Sequence, residues 1–353
     1  MPFSSGYYKT TYESDMALVE TRGRWACLVA LFVFSALIPF AASAFILDLA
    51  NQVLLALVGS IALMLLTGYA GQISLGHAGL IAAGAFTTAI LYKELGAPIW
   101  ITLPASAVTG AVLGFIFGLP SLRLKGLYLA LSTLALHFIV TYLGSEYETN
   151  RGFATGVIID APQIGPFVIL DPRIWYFVLL GIDILLIVFS LNLIRSRTGR
   201  AWMAIRDRDV AAEALGIKLS AYKLSAFVIS SVITSVAGCL FAYYRGFVSV
   251  EAFSLLMTIE YVAMVIIGGL GSMLGAVLGT IFVVILPYAI EGTVELFHVP
   301  TRFTTYIFSI NHAAFGLIMI IFLVMEPNGL VGVWNRIKNY FILWPFKHRP
   351  LGG

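Results

Sequence analysis

Arg195-Ser-Arg-Thr-Gly-Arg-Ala-Trp-Met-Ala-Ile-Arg-Asp-Arg-Asp-Val-Ala-Ala-Glu-Ala-Leu-Gly-Ile-Lys218 is the stretch whose reading decides the fold of this chain. Six cations (Arg195, Arg197, Arg200, Arg206, Arg208, Lys218) and three acids (Asp207, Asp209, Glu213) fall within these 24 residues. On either side the chain runs almost without charge for about twenty residues at a time, the length a helix needs to cross a bilayer. An island of this kind cannot lie in lipid, and its arginine excess assigns it to a cytoplasmic loop. It sets topology at the least, and it also has the make-up of a docking element. Ala201, Trp202 and Ile205 form one apolar group, and Ala211, Ala212 and Leu215 a second. Asp207 and Asp209 suit the first turn of a second short helix, and Gly216 suits its C-terminal stop.

Outward from the island, the composition agrees. Of 353 residues, 60% are hydrophobic and 11% charged, against roughly 25% charged in a soluble domain. The expected fold class is an all-α integral membrane protein. Charge-free gaps place spans at 25–47, two within 49–92, then 95–122, 126–145, 174–194, 224–244, two within 252–290, and 303–325. That is about ten transmembrane helices, with N and C termini both cytoplasmic. Residues 1–24 form an N-terminal tail and 327–353 a C-terminal tail around a transmembrane body at 25–326. The polar, proline-containing stretch 146–172 is too hydrophilic to span and falls on the far side. With this alternation 16 of the 21 Lys and Arg lie on the cytoplasmic side. The first apolar stretch is long enough to span and reads as an uncleaved helix rather than a signal peptide. Asp48, Asn51 and Gln52 mark the outer end of the first hairpin.

Two glycine-rich reversals interrupt the spans. In Thr67-Gly-Tyr-Ala-Gly-Gln-Ile-Ser-Leu-Gly-His-Ala-Gly79, a helix starting at His77 has 16 residues before Lys93, about 24 Å at 1.5 Å per residue and short of the roughly 30 Å core. One reading puts irregular backbone at membrane depth, where it must be buried in protein or line a wet cavity. The other is a tight surface hairpin with glycines for close packing. Gln72, Ser74 and His77 are the polar side chains of this segment. The second reversal, Ile267-Gly-Gly-Leu-Gly-Ser-Met-Leu-Gly275, favours packing.

Several blocks together resemble the LivM-type permease family of bacterial branched-chain amino acid ATP-binding-cassette importers. They are Gly68–Ala78, Arg123–Leu134, Gly199–Ile217, Tyr222–Phe227, Gly268–Ser272 and Glu326–Leu330, in the family's order over roughly residues 50–335. The resemblance implies an inner-membrane permease that works with a second, LivH-type permease subunit, two cytoplasmic ATPase subunits and a periplasmic binding protein. With irregular backbone at membrane depth, the first reversal would supply a substrate pathway at Tyr69, Gln72, Ser74, Gly76 and His77. The resemblance also makes the island a coupling element for the ATPase, carried by Arg200, Arg206, Asp207, Arg208, Asp209, Ala212, Glu213 and Gly216. Branched-chain amino acids are the default cargo, with other small polar or aromatic solutes as alternatives. Arg151, in Thr149-Asn-Arg-Gly-Phe-Ala-Thr-Gly156, departs from the small residues usual in that family's loop.

The residues exclude other classes. No Gly-Lys dipeptide occurs, so there is no P-loop, and ATP and magnesium belong to partner chains. No cofactor, catalytic residue or metal is expected: Cys27 and Cys239 are far apart, and His137, His298 and His312 are isolated. Nucleic acid is excluded as a partner by the lack of a basic face. The rival reading is a self-sufficient secondary carrier coupled through an intramembrane acid, with Asp183 first, then Glu260 and Glu291.

Overall fold

The computed structural model describes residues 35–122, 126–153, 156–164, 167–296 and 329–343, with scattered positions in 29–33 and 313–324. The span expected at 303–325 therefore lies mostly outside the described residues, as does the first part of the span expected at 25–47, together with Cys27, His298, His312 and the side chain of Glu291.

Helix α1 (Ala44–Leu63) starts at the N-cap Ser43, whose hydroxyl accepts from the Ile46 N–H at 3.4 Å, and widens into a π-helical turn at Met64–Tyr69. The first hairpin thus turns at 42–43, and Asp48, Asn51 and Gln52 sit within the first turns of α1 rather than in the turn itself. α2 (His77–Leu95) begins at the expected residue but runs on through Lys93 and Glu94. Its 19 residues cover about 28 Å, which removes most of the expected shortfall. α3 (Ile99–Ser121) and α4 (Leu127–Arg151) follow. α4 carries six residues of the polar stretch, 146–151, as its last turns.

Short strands β1 (Val157–Ile158), β2 (Gln163–Ile164) and β3 (Phe167–Val168) fill the rest of that stretch. α5 (Pro172–Arg195) opens with Asp171 as N-cap and proline at the first helical position, where no amide donor is needed. The island forms α6 (Arg197–Asp207) and α7 (Asp209–Ala214). α8 (Leu219–Arg245) leads to β4 (Phe247–Val248), which pairs antiparallel with β1. α9 (Leu255–Gly268), α10 (Met273–Leu296) and α11 (Gly329–Leu343) complete the described chain.

Among the described residues six helices are long and apolar enough to cross a membrane: α1 with its π turn, α3, α4, α5, α8 and α10. α2 and α9 are shorter or less apolar and lie among them. α8 is the central packing element. Gly110, Gly114 and Gly118 of α3 approach its Ser231, Ser235, Leu224 and Phe227, while Gly84 of α2 lies over the Ser235 carbonyl. Gly238 of α8 answers by lying over the Ile81 carbonyl. This is small-residue packing, which lets backbones approach where no hydrophobic drive exists between helices.

One end of the bundle carries the island. The opposite end is tied by polar contacts. Tyr244, at the end of α8, donates to Asp48 Oδ1, and Gln52 Nε2 donates to Asp48 Oδ2 at 2.7 Å. The unexpected Arg151 is the last residue of α4 and pairs with Glu94 Oε1 of α2 at 2.9 Å. A cation suits a helix C-terminus, and the pair adds to the Tyr147 hydroxyl, which donates to the same Glu94 Oε1 at 3.1 Å, in joining the two helix ends.

Candidate functional site

Two features stand out as candidate sites: a junction at the island end and a cavity reaching inward from the far end. The junction is built on α6. Ser196 caps it, its hydroxyl accepting from the Gly199 N–H at 3.4 Å. Ala201, Trp202 and Ile205 are buried as their spacing predicts. Trp202 Nε1–H donates to the Tyr222 carbonyl at 2.9 Å, which fixes α6 against the start of α8. The helix ends at Asp207 because Arg208 adopts an extended backbone, φ −157° and ψ 102°.

Asp207 therefore closes the first short helix instead of opening the second, as the sequence had suggested. Asp209 does open α7, its Oδ1 accepting from the Val210 N–H at 2.9 Å. Gly216 stops the segment with φ +84°. The second apolar group does not bury as a unit. Ala212 is buried, but Ala211 is exposed and Leu215 is 82% exposed, and Val210 beside them is 74% exposed. α7 presents apolar side chains outward, away from its own chain.

Arg206 is the hub. Its Nη1 donates to the Gly68 carbonyl at 2.6 Å, and its Nε and Nη2 reach Asp207 Oδ1 at 3.3 and 3.2 Å. Its stem lies on Gly71 (φ +69°) and its guanidinium against Gly271 (φ +78°), two positions where a Cβ would collide with it. Gly68 in turn touches the Gly271 backbone, and Gly329 packs on Gly269. Both glycine-rich reversals, the island and the start of α11 thus meet at one end of the bundle. Of the other expected coupling residues, Ala212 faces inward and Asp209 is half-buried. Arg200, whose Nη1 donates to the Arg195 carbonyl at 2.6 Å, Arg208, Glu213 and Gly216 are exposed.

The expected pathway residues form a connected strip leading away from this junction. Tyr69 is buried at the end of the π turn, with its hydroxyl at the Met273 backbone. Gln72 Nε2 donates to the Lys223 carbonyl at 2.9 Å. Ser74 accepts from the Gly76 N–H at 3.3 Å, and Gly76 lies against the Thr133 carbonyl. His77 is buried and packs against Tyr261 with the rings tilted by 59° and their centroids 4.7 Å apart. Residues 70–76 are thus irregular backbone, largely enclosed by α4, α6 and the start of α8.

The cavity, of about 500 Å³, lies between α1, α2, α8, α9 and α10. α8 offers it the stripe Ala237, Phe241 and Arg245, and α9 offers Met257, Glu260, Tyr261 and Met264, while α2 gives Ile81 alone. Its walls are mainly apolar, and Arg245 and Glu260 are the charged residues lining it among those described. Tyr288 donates to Gln52 Oε1 at 3.1 Å, so the rim is held by the chain Tyr288–Gln52–Asp48–Tyr244 across three helices. None of the five expected pathway residues lines this cavity. His77 stands one layer behind it, through Tyr261. The stripes on α8 and α9 were missed in the sequence; the signal available was the i, i+4, i+8 spacing of Ala237, Phe241 and Arg245. Asp183 is buried in α5, which does not line the cavity, and its carboxylate has no hydrogen-bond partner among the described residues.

Comparison with known proteins follows this geometry. The family described as branched-chain amino acid transport system / permease component matches residues 45–325. The LivM permease protein of the high-affinity branched-chain amino acid transport system of Salmonella typhimurium is 33% identical over 58% of this chain and 54% of its own length. Its counterpart from Escherichia coli is 31% identical over 73% of this chain and 64% of its own length. A probable LivH permease of Methanocaldococcus jannaschii is 26% identical over 72% of this chain and 82% of its own length. The chain thus spans between half and two thirds of the length of the two LivM relatives. No solved structure matches it. With a family match across most of its length and several helices able to cross a bilayer, the chain is a multi-pass membrane protein that belongs to the branched-chain amino acid transport permease family, as a LivM-type member.

Proposed function

We propose that the chain is one permease subunit of an ATP-driven importer in the bacterial inner membrane, with branched-chain or related apolar amino acids as cargo. A second, LivH-type permease completes the pore, two cytoplasmic ATPase subunits supply ATP hydrolysis with magnesium, and a periplasmic binding protein delivers the substrate. The chain itself holds no cofactor in this reading. The island end is cytoplasmic, as its cations require, and the cavity opens toward the periplasm.

The observation that carries the proposal is the form of α6–α7. α6 is locked to the bundle through Trp202 and Arg206, while α7 exposes Val210 and Leu215 in water. A loop that served topology alone would have no reason to fold two capped helices and turn apolar side chains outward. An ATPase groove that takes Val210 and Leu215 would push through α6 on both glycine-rich reversals.

The test is a Val210→Asp/Leu215→Asp double variant. It should reach the membrane with its permease partner and lose the ATPase subunits on purification. Co-purification of a full complex with undiminished uptake would remove the docking role. Reversing Arg206 is a poorer test of docking, because that side chain points into the bundle.

A further inference from the structure

After Glu326 the sequence holds four cations, Arg336, Lys338, Lys347 and Arg349, two tryptophans and no acid. α11 is the described part of this basic end. Its first residue, Gly329, takes φ +64° and lies against the Ile267 carbonyl and the Gly269 backbone, which ties the helix to the second glycine-rich reversal. Residues Leu330 to Val333 are half-buried against α9 and α10. From Trp334 to Lys338 every residue is exposed. Five consecutive residues go round a full helical turn, so no side of this part of α11 is buried in the bundle.

The apolar stripe of the helix does not stop where the bundle does. Leu330, Val333, Trp334 and Ile337 follow the i, i+3, i+4, i+7 spacing of one face, and Trp334 and Ile337 are 52% and 47% exposed. Lys338, also exposed, lies about 100° round the helix from Ile337. Whatever covers the outer half of this stripe must take apolar side chains and bring negative charge. The headgroup layer of an anionic bilayer does both. Tryptophan is enriched at that level, an amphipathic helix lies there with its apolar face inward, and anionic lipids attract the basic residues beside it. The stem of Lys338 can follow the apolar face while its ammonium group meets a phosphate. α7, whose exposed Val210 and Leu215 are offered to a protein, carries Asp209 and Glu213; the sequence of α11 avoids acids altogether.

We propose that α11 is an interfacial anchor: Trp334 and Ile337 enter the cytoplasmic leaflet, and Lys338 binds the phosphate of an anionic phospholipid. The proposal rests on the importer reading for the side of the membrane that the helix faces, and adds a lipid partner to that reading. Gly329 sits on Gly269, and Gly271 lies against the Arg206 guanidinium. The leaflet thus holds one side of the junction on which the island bears.

The experiment uses the whole transporter in nanodiscs of phosphatidylcholine, with or without about one third phosphatidylglycerol. A nitroxide is attached at Ile337→Cys, the remaining cysteines of the complex being replaced by serine, and its collisions with oxygen and with a water-soluble nickel chelate are compared. In the anionic bilayer the label should be open to oxygen and shielded from nickel, and it should stay so when the ATPase subunits are stripped off. Lys338→Glu should raise its nickel accessibility at least threefold. A label open to nickel in the anionic bilayer overturns the proposal. So does a label shielded from both probes that becomes open to nickel once the ATPase subunits leave, since a protein then covers the stripe. Should the Ile337→Cys complex fail to assemble, Trp334→Cys carries the label with the same expectations. The label's depth is read without transport, so a complex that imports no amino acid would sink the functional reading while this measurement still decides the anchor.

Discussion

Arg206 makes contacts of unequal weight, and the difference can be tested. Its pairing with Asp207 is between two partly or largely exposed side chains, 36% and 69%, and such pairs contribute about 0–1 kcal/mol. Its bond to the Gly68 carbonyl is short, charge-assisted and part-buried, a class that contributes about 1.5–3 kcal/mol. It also terminates the π turn, where carbonyls lack intrahelical partners. Arg206→Ala should therefore lower uptake by the assembled transporter at least fivefold with the ATPase subunits still bound, and Asp207→Ala should change it less than twofold. The ratio of substrate imported to ATP hydrolysed is the measurement; equal ratios for the two variants would take the Gly68 contact out of the coupling path. Gln72 belongs to the same argument. Gln72→Ala frees the Lys223 carbonyl at the start of α8, so it should lower the same ratio without loss of assembly.

At the scale of elements, α8 depends on glycines that the apolar pattern alone does not rank. Gly238 lies over the Ile81 carbonyl and the Ala85 amide of α2, so an added methyl meets backbone that cannot rotate away. Gly181 of α5 has open space where its Cβ would stand. Alanine gains up to about 1 kcal/mol of helix propensity over glycine at either place, but overpacking costs about 1–3 kcal/mol. Gly181→Ala should leave the melting temperature of the purified complex unchanged or higher, and Gly238→Ala should lower it by several degrees. Thermal unfolding followed by fluorescence-detected size exclusion checks the opposite signs; a shared direction would mean α2 and α8 are not in tight contact.

The sequence was most legible where polar and apolar runs alternate sharply. The start of α2 at His77, the reversal at 269–271, the two short helices of the island and the stop at Gly216 all follow from charge-free lengths and glycine placement. Directions within the island were less legible. Arg206 and Arg208 look alike in one dimension, yet one points into the bundle and the other sits exposed at the break between helices. Leu215 and Ile205 look alike too, and one is outside and the other inside. Local pattern cannot say which neighbour a side chain will meet 138 residues away. The cavity was missed for the same reason: its lining is shared among five helices, α2 giving only Ile81, and no single segment carries its signature.

Taken as a whole, the molecule sets Asp183, the first-ranked acid of the carrier reading, apart from the cavity, while Glu260 lines it. Asp183 is 1% exposed, lies mid-span in α5 and does not line the cavity between α1, α2, α8, α9 and α10, which argues against a proton-exchange role. Uptake by the complete transporter should accordingly depend on ATP and be indifferent to a proton or sodium gradient. Asp183→Asn, which keeps the shape and removes the titration, should retain at least half of wild-type uptake across pH 6 to 8. The decisive arrangement is a parallel set of proteoliposomes, one with this chain alone and an imposed gradient, one with the full complex and ATP. Leucine accumulation in the first set, abolished by Asp183→Asn, would establish a carrier and reject the importer; accumulation only in the second, unaltered by ionophores that collapse both gradients, is the expected result.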